Sequence, residues 1–222
     1  MGRKRGQVLP VPAVLVAGIG VSLGSVFLFG KLADEILENE SMAIDTRLVE
    51  EAREMRSPAL DRIMSAATAL GEPWFLGTSG VLVGLALLAH DRKADLVTWA
   101  SGLIGGGILN ELLKRRFHRA RPALKLRRAH ATGYSFPSGH AMTTLATYGT
   151  LAYIVSRRGN LTGHPIARLV WVPVLPFCAL IGASRVYLEV HYPTDVLAGW
   201  FAAIVWTTTC GVARNFMEPE ES

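Results

Sequence analysis

The chain has 222 residues, half of them apolar, with a formal net charge of +5 and a positive mean hydropathy. That balance argues against a soluble domain and for one integral membrane domain covering residues 1–222. The two cysteines, Cys178 and Cys210, both lie inside apolar runs, so no disulfide framework is implied.

A basic start, Arg3-Lys4-Arg5, precedes an apolar run that predicts a first span over about 8–30. The run is longer than a signal peptide's core, and Phe29-Gly30-Lys31-Leu32 is a poor cleavage site, so the span is expected to be retained. A polar connection from Lys31 to Glu72 follows. Ile44, Leu48, Ala52, Met55, Ile63, Met64 and Ala67 recur there at helical spacing, which predicts an amphipathic helix broken at Ser57-Pro58. It reads either as an interfacial lid or as a solvated connection without a catalytic role. Gly71 is expected to end this helix, and Glu72-Pro73 to open the next.

Further spans are expected over about 74–89, 96–113, 139–155, 169–184 and 195–213, giving an all-α membrane bundle of six transmembrane helices. Gly102, Gly105, Gly106 and Gly107 in the third span, and Gly20 and Gly24 in the first, read as close-packing devices. Pro173 and Pro176 are expected to kink the fifth span. Arg3-Lys4-Arg5, Arg92-Lys93, Arg157-Arg158 with Arg168, and Arg214 fall on one side, which the positive-inside rule makes cytoplasmic. The Lys114–Arg128 cluster on the other side argues against that orientation. It is discounted because four of its members sit in or beside a phosphate-binding motif.

Three polar stretches interrupt the apolar runs at span ends, and ionisable groups in such places call for a function. They are Lys114-Arg115-Arg116-Phe117-His118-Arg119-Ala120-Arg121-Pro122, Pro137-Ser138-Gly139-His140, and Ser184-Arg185-Val186-Tyr187-Leu188-Glu189-Val190-His191-Tyr192-Pro193-Thr194-Asp195. With alternating spans all three fall on the same membrane face. Lys114, Arg121 and Arg185 can cradle phosphoryl oxygens. Asp195 lies one helical turn from His191 and can hold its far ring nitrogen. Gly139 permits close backbone approach, and Ser138 can add a hydroxyl hydrogen bond. His90, His130 and His164 read as bland interfacial groups, and the role of His118 stays open. Glu189 reads as pointing to solvent, with tuning of His191 or of head-group choice as the alternatives.

Written as K-x6-R-P, P-S-G-H and S-R-x5-H-x3-D, the stretches resemble the tripartite signature of the type-2 phosphatidic acid phosphatase family. The resemblance implies hydrolysis of a lipid phosphate or diphosphate with no metal and no cofactor, on substrates such as undecaprenyl diphosphate, phosphatidylglycerol phosphate or phosphatidic acid. It implies His191 as nucleophile, through a phosphohistidine, and His140 as general acid; spacing alone shows only that His191 has an aspartate partner. The expected partners are a membrane lipid and the bilayer, with no nucleic acid, in a cytoplasmic membrane with the site facing outward. Vanadate-dependent haloperoxidases share the motifs but are soluble and larger. A lipid phosphotransferase, or a non-enzymatic lipid-binding or transport protein, are the remaining readings.

Overall fold

The computed structural model describes residues 11–122, 129 and 131–217. The basic start at 3–5, residues 8–10 of the first expected span, residues 123–128 of the basic connection, His130 and the acidic tail therefore lie outside the described residues. Among the described residues all regular structure is helical: α1 (Val11–Leu37), α2 (Met42–Glu54), α3 (Pro58–Ala69), α4 (Pro73–Ala89), α5 (Lys93–Ala100), α6 (Gly106–Phe117), α7 (Gly139–Leu161), α8 (Trp171–Tyr187) and α9 (Pro193–Met217). A π turn, Ser101–Gly105, joins α5 to α6, and a 3-10 turn, Pro165–Val170, leads into α8.

Four stretches among these residues are long and apolar enough to cross a membrane: Val16–Leu37, Lys93–Phe117, Ile166–Tyr187 and Pro193–Met217. A fifth results if α3 and α4, bent by 49° at their break, form one span. The expected six is therefore not reached on length and apolarity. The segment at 74–89 is a helix that is short by itself. The segment at 139–155 is a longer helix, Gly139–Leu161, diluted by threonines. Thr143, Thr144 and Thr150 donate their hydroxyls to main-chain carbonyls one turn back, at 2.6–2.7 Å. Thr144, Thr147 and Thr150 are buried among other helices. A helix at the centre of a bundle meets protein rather than lipid, so its hydropathy falls.

Helix α9 packs against α1 on one side and α7 on the other, and α8 closes on α7. Met142, Leu145 and Ala146 of α7, Cys178 of α8, and Ala202 and Ala203 of α9 form the main core. In the third span Gly102, Gly105 and Gly106 pack closely as their spacing implies, whereas Gly107 faces open space. A Cβ on Gly102, Gly105 or Gly106 would fall within 3.0 Å of Thr150, Trp206 or Ala146 respectively. Gly20 and Gly24 correct the reading of the first span, since each faces open space, and it is Gly18 that sits against Thr208 and Val212. Pro173 lies in the first turn of α8, where a missing amide proton costs little, and only Pro176 sits inside the helix.

The close approach that most directly sets the site is Gly199 on α9. A Cβ there would lie 2.9 Å from the Ser138 carbonyl oxygen and 3.2 Å from the Met142 amide nitrogen. These are main-chain atoms at the start of α7 and cannot swing aside. Gly199→Ala should cost about 1–3 kcal/mol, as overpacking does, read as a lower midpoint in thermal unfolding of the detergent-solubilised protein.

The connection from 31 to 72 is where sequence reading and structure part most. Helix α1 continues to Leu37, so Lys31 lies inside it. The break falls where expected: Ser57 caps α3 by accepting the Leu60 amide at 3.2 Å, with Pro58 at the first helical position. The two short helices do not run free in solvent. They pack on α8 and α9 at the end of the bundle where the motifs meet.

Candidate active site

Four helix ends converge: the C-termini of α6 and α8 and the N-termini of α7 and α9. Lys114 donates from Nζ to the Tyr134 carbonyl at 2.6 Å. His118, in left-handed conformation with φ 51°, ends α6 and turns the chain. Its ring packs edge to face with that of Tyr134, centroids 4.5 Å apart, and the residue serves as the cap of α6. Phe117 packs on Phe136 at 4.9 Å and on Phe29 at 6.0 Å, seating Phe136 just before the second motif. The Ser138 amide donates to the Asp195 carbonyl at 2.9 Å, tying the second motif to the third.

Ser138 is the N-cap of α7, its Oγ accepting from the Ala141 amide at 3.5 Å. The first amides of α7 therefore open toward the motif cluster, where a helix N-terminus favours an anion. A Cβ on Gly139 would sit 3.2 Å from Asn110 Oδ1 and 3.8 Å from Lys114 Cε, so a larger residue would wedge α7 away from the lysine.

His191 lies in the short turn between α8 and α9 and is 2% exposed. The Arg185 carbonyl accepts its amide at 3.2 Å, which fixes the turn to the end of α8. Nδ1 is 3.3 Å from Asp195 Oδ2, and Arg121 Nη1 is 2.9 Å from Nε2. A guanidinium can only donate. Nε2 must then carry the lone pair, and Nδ1 the proton that it gives to Asp195. Burial pushes the imidazole pKa down to about 3, and the Arg121 and Lys114 cations push the same way against the Asp195 carboxylate. The ring is neutral at physiological pH, with its basic nitrogen facing a cation.

Asp195 is fully buried. Its Oδ2 accepts from the Tyr192 amide at 2.9 Å and from the Ser135 hydroxyl, and its Oδ1 from Arg119 Nη1 at 2.7 Å. Arg121 spreads the rest of its fork over the carbonyls of Gly133, Val190 and Thr132 at 2.8–3.1 Å. Arg185, 2% exposed, donates to Thr68 Oγ1 of α3. Its buried Nε–H finds no acceptor among the described residues, which leaves donor capacity for an anion. His140 Nε2 lies 3.1 Å from Glu72 Oε1, at the break between α3 and α4.

All eight residues singled out from the sequence, Lys114, Arg121, Ser138, Gly139, His140, Arg185, His191 and Asp195, thus belong to one cluster. Glu189 corrects its expectation. It is fully buried, with φ 56°, and its carboxylate is gripped by Arg53 at 3.1 Å and Arg56 at 2.7 Å from α2 and the turn after it. The segment from 41 to 72 therefore supplies partners to His140, Arg185 and Glu189 and is packed on the bundle rather than solvated. Sequence reading missed Asp45, Thr68, Glu72, Arg119 and Ser135. The acids sat in an ordinary acidic stretch, and Arg119 and Ser135 lay in or beside motifs whose patterns leave their slots free. Chemically, the cluster offers a buried neutral imidazole, a second imidazole, and three cations with helix amides for an oxyanion.

Residues 95–216 match the PAP2 superfamily. Phosphatidylglycerophosphatase B of Bacillus subtilis is 33% identical over 178 residues, covering 79% of this chain and 86% of that protein. A lipid A 1-phosphatase of Rhizobium etli is 33% identical over 162 residues, 63% of each chain. The crystal structure of a transmembrane PAP2 type phosphatidylglycerolphosphate phosphatase from Bacillus subtilis superposes with a TM-score of 0.82 at 27% identity, over 90% of this chain and 98% of that one. With the motif residues gathered at one end of a helical membrane bundle, the chain belongs to the PAP2 superfamily and is a membrane-embedded phosphatase of that family.

Proposed function

We propose that the protein hydrolyses a lipid phosphate or diphosphate monoester without a metal, through a phosphohistidine on His191, at the outer face of a cytoplasmic membrane. The observation that carries this reading is the fixed tautomer of His191, with Nε2 unprotonated and 2.9 Å from Arg121 Nη1. A phosphoryl group bound to that nitrogen would lie against the guanidinium. In the first step the Nε2 lone pair forms the P–N bond as the P–O bond to the lipid breaks, and His140 gives its proton to the leaving oxygen. The ring becomes cationic, and Asp195 stabilises it through Nδ1–H. In the second step His140 takes a proton from water, which attacks phosphorus, releases phosphate and restores His191. Lys114, Arg121, Arg185 and the α7 amides hold the equatorial oxygens while charge develops on them. Ser138 steadies those amides as the cap of α7.

A six-span topology belongs to this proposal: α3–α4 as one bent span and α7 as the central one put both termini on the same side. Arg92, Lys93, Arg157, Arg158, Arg168 and Arg214 then face the cytoplasm, and the motif cluster faces out. The outward site suits undecaprenyl diphosphate, whose release occurs outside the membrane, and phosphatidylglycerol phosphate is the other leading substrate. The diversity of lipid phosphatases among the relatives supports a broader alternative that includes phosphatidic acid.

The test is phosphate release by purified protein in EDTA on those three lipids. We expect turnover of undecaprenyl diphosphate or phosphatidylglycerol phosphate at a rate indifferent to EDTA. Equal rates on all three would mark the broad phosphatase, and strict dependence on added Mg²⁺ would sink the metal-free mechanism.

A further inference from the structure

Arg119 occupies a slot that the first motif leaves free, yet both terminal nitrogens of its guanidinium are engaged beside His191. It is 7% exposed. Nη1 donates to Asp195 Oδ1 at 2.7 Å and to Thr194 Oγ1 at 2.8 Å, and Nη2 donates to Asp45 Oδ2 at 2.6 Å. The guanidinium also lies 4.4 Å over the Tyr192 ring. Asp45, fully buried on α2, is itself fixed by the Thr194 amide at 3.1 Å and by the Thr194 hydroxyl. One buried cation is thus shared by two buried carboxylates, one of which is the partner of His191.

The consequence follows from charge. A full carboxylate 3.3 Å from Nδ1 favours the imidazolium, and an imidazolium has no lone pair on Nε2. The other groups facing His191 are Arg121 and Ser135 from the connection, Lys114 from α6 and His140 from α7. Glu189, two residues before it, is engaged by Arg53 and Arg56. Among these, Arg119 is the group that bonds directly to the free oxygen of Asp195. We propose that Arg119, held in place by Asp45, is a positioning residue that draws off part of the Asp195 charge and so keeps His191 neutral at the pH where the enzyme works. Asp195 can then orient the ring without protonating it. Because Asp45 belongs to α2, the same contact makes the packing of that helix a condition for a reactive histidine.

This rests on the reading of His191 as nucleophile, and the experiment separates the two. kcat/KM for the preferred lipid is measured from about pH 5.5 to 9.5 and expressed as the ratio of variant to wild type, so that ionisation of the substrate cancels. For Arg119→Gln the ratio should fall toward the acid end of that range and climb as pH rises, by about tenfold per pH unit below the raised His191 pKa. Arg119→Lys keeps the charge and should give a ratio that is lowered but flat. Asp45→Asn with Arg119→Gln removes the stranded carboxylate along with its partner. This double variant should fold and show the same climb. Flat ratios in both Gln-bearing variants, or a climb with Arg119→Lys matching that of Arg119→Gln, would overturn the proposal. A wild-type enzyme inactive on every lipid would instead overturn the phosphatase reading on which it rests.

Discussion

His191→Ala should lose at least about 10⁴-fold in turnover, the scale seen when a covalent nucleophile is removed, while the protein still folds. The fold should survive because Asp195 keeps its contacts to Arg119, Ser135 and the Tyr192 amide when the ring is gone. Rapid quenching of the wild-type reaction with substrate labelled in its phosphate should trap acid-labile, base-stable label on the protein. The variant should trap none. A near-normal rate in the variant, or trapped label at another residue, would remove His191 from the nucleophile's role. Arg121 should matter to the same step, because its Nη1 contact fixes the lone pair on Nε2.

Why were the clustered motif residues legible in the sequence when their supports were not? Lys114, Arg121, His140, Arg185, His191 and Asp195 stand at the ends of apolar runs, where a polar side chain is conspicuous against its surroundings. The partners that orient them come from the 31–72 segment, where acids and arginines are plentiful and any one resembles a solvated residue. Asp45 and Glu72 differ from Glu50 or Glu54 only in what they touch, and that is decided by how α2 and α3 fold back onto α8 and α9. Glu189 shows the same limit from inside a motif. Its buried position depends on the left-handed turn at the end of α8 and on two arginines some 130 residues earlier in the chain. Span counting on length and apolarity reaches only four or five for a related reason. Hydropathy measures exposure to lipid, and α7 is surrounded by protein.

The enclosure of the site by α2 and α3 has a chemical consequence. Burial drives the neutral form of His191, yet the anionic substrate must reach it. Fixed cations answer both needs in the proposed mechanism, because Lys114 and Arg121 oppose protonation of the ring and, with Arg185, would attract the phosphate. A substrate dianion entering the cluster offsets part of that positive charge. The site is therefore organised before substrate arrives, which is where electrostatic catalysis draws its advantage over water.

His140→Ala should expose the chemistry of the leaving group. General acid catalysis contributes about 10²–10⁴-fold, but only where the departing oxygen needs a proton. Phosphatidylglycerol phosphate would have to expel a strongly basic alkoxide, so the variant should lose that full range on it. Undecaprenyl diphosphate expels a lipid monophosphate, a far weaker base that leaves without help, and its first step should be nearly spared. The second step still requires a base to activate water, and that role is also assigned to His140. On the diphosphate, phosphohistidine should then form at close to the normal rate and accumulate, seen as a burst of released undecaprenyl phosphate followed by slow phosphate release. On the monoester no burst should appear, because formation of the intermediate is itself blocked. Equal losses on both substrates with no trapped intermediate would mean that His140 binds phosphate rather than moving protons. In that case its contact with Glu72, 3.1 Å from Nε2, would serve to hold a binding residue in place, and the proton donor would have to be sought elsewhere in the cluster.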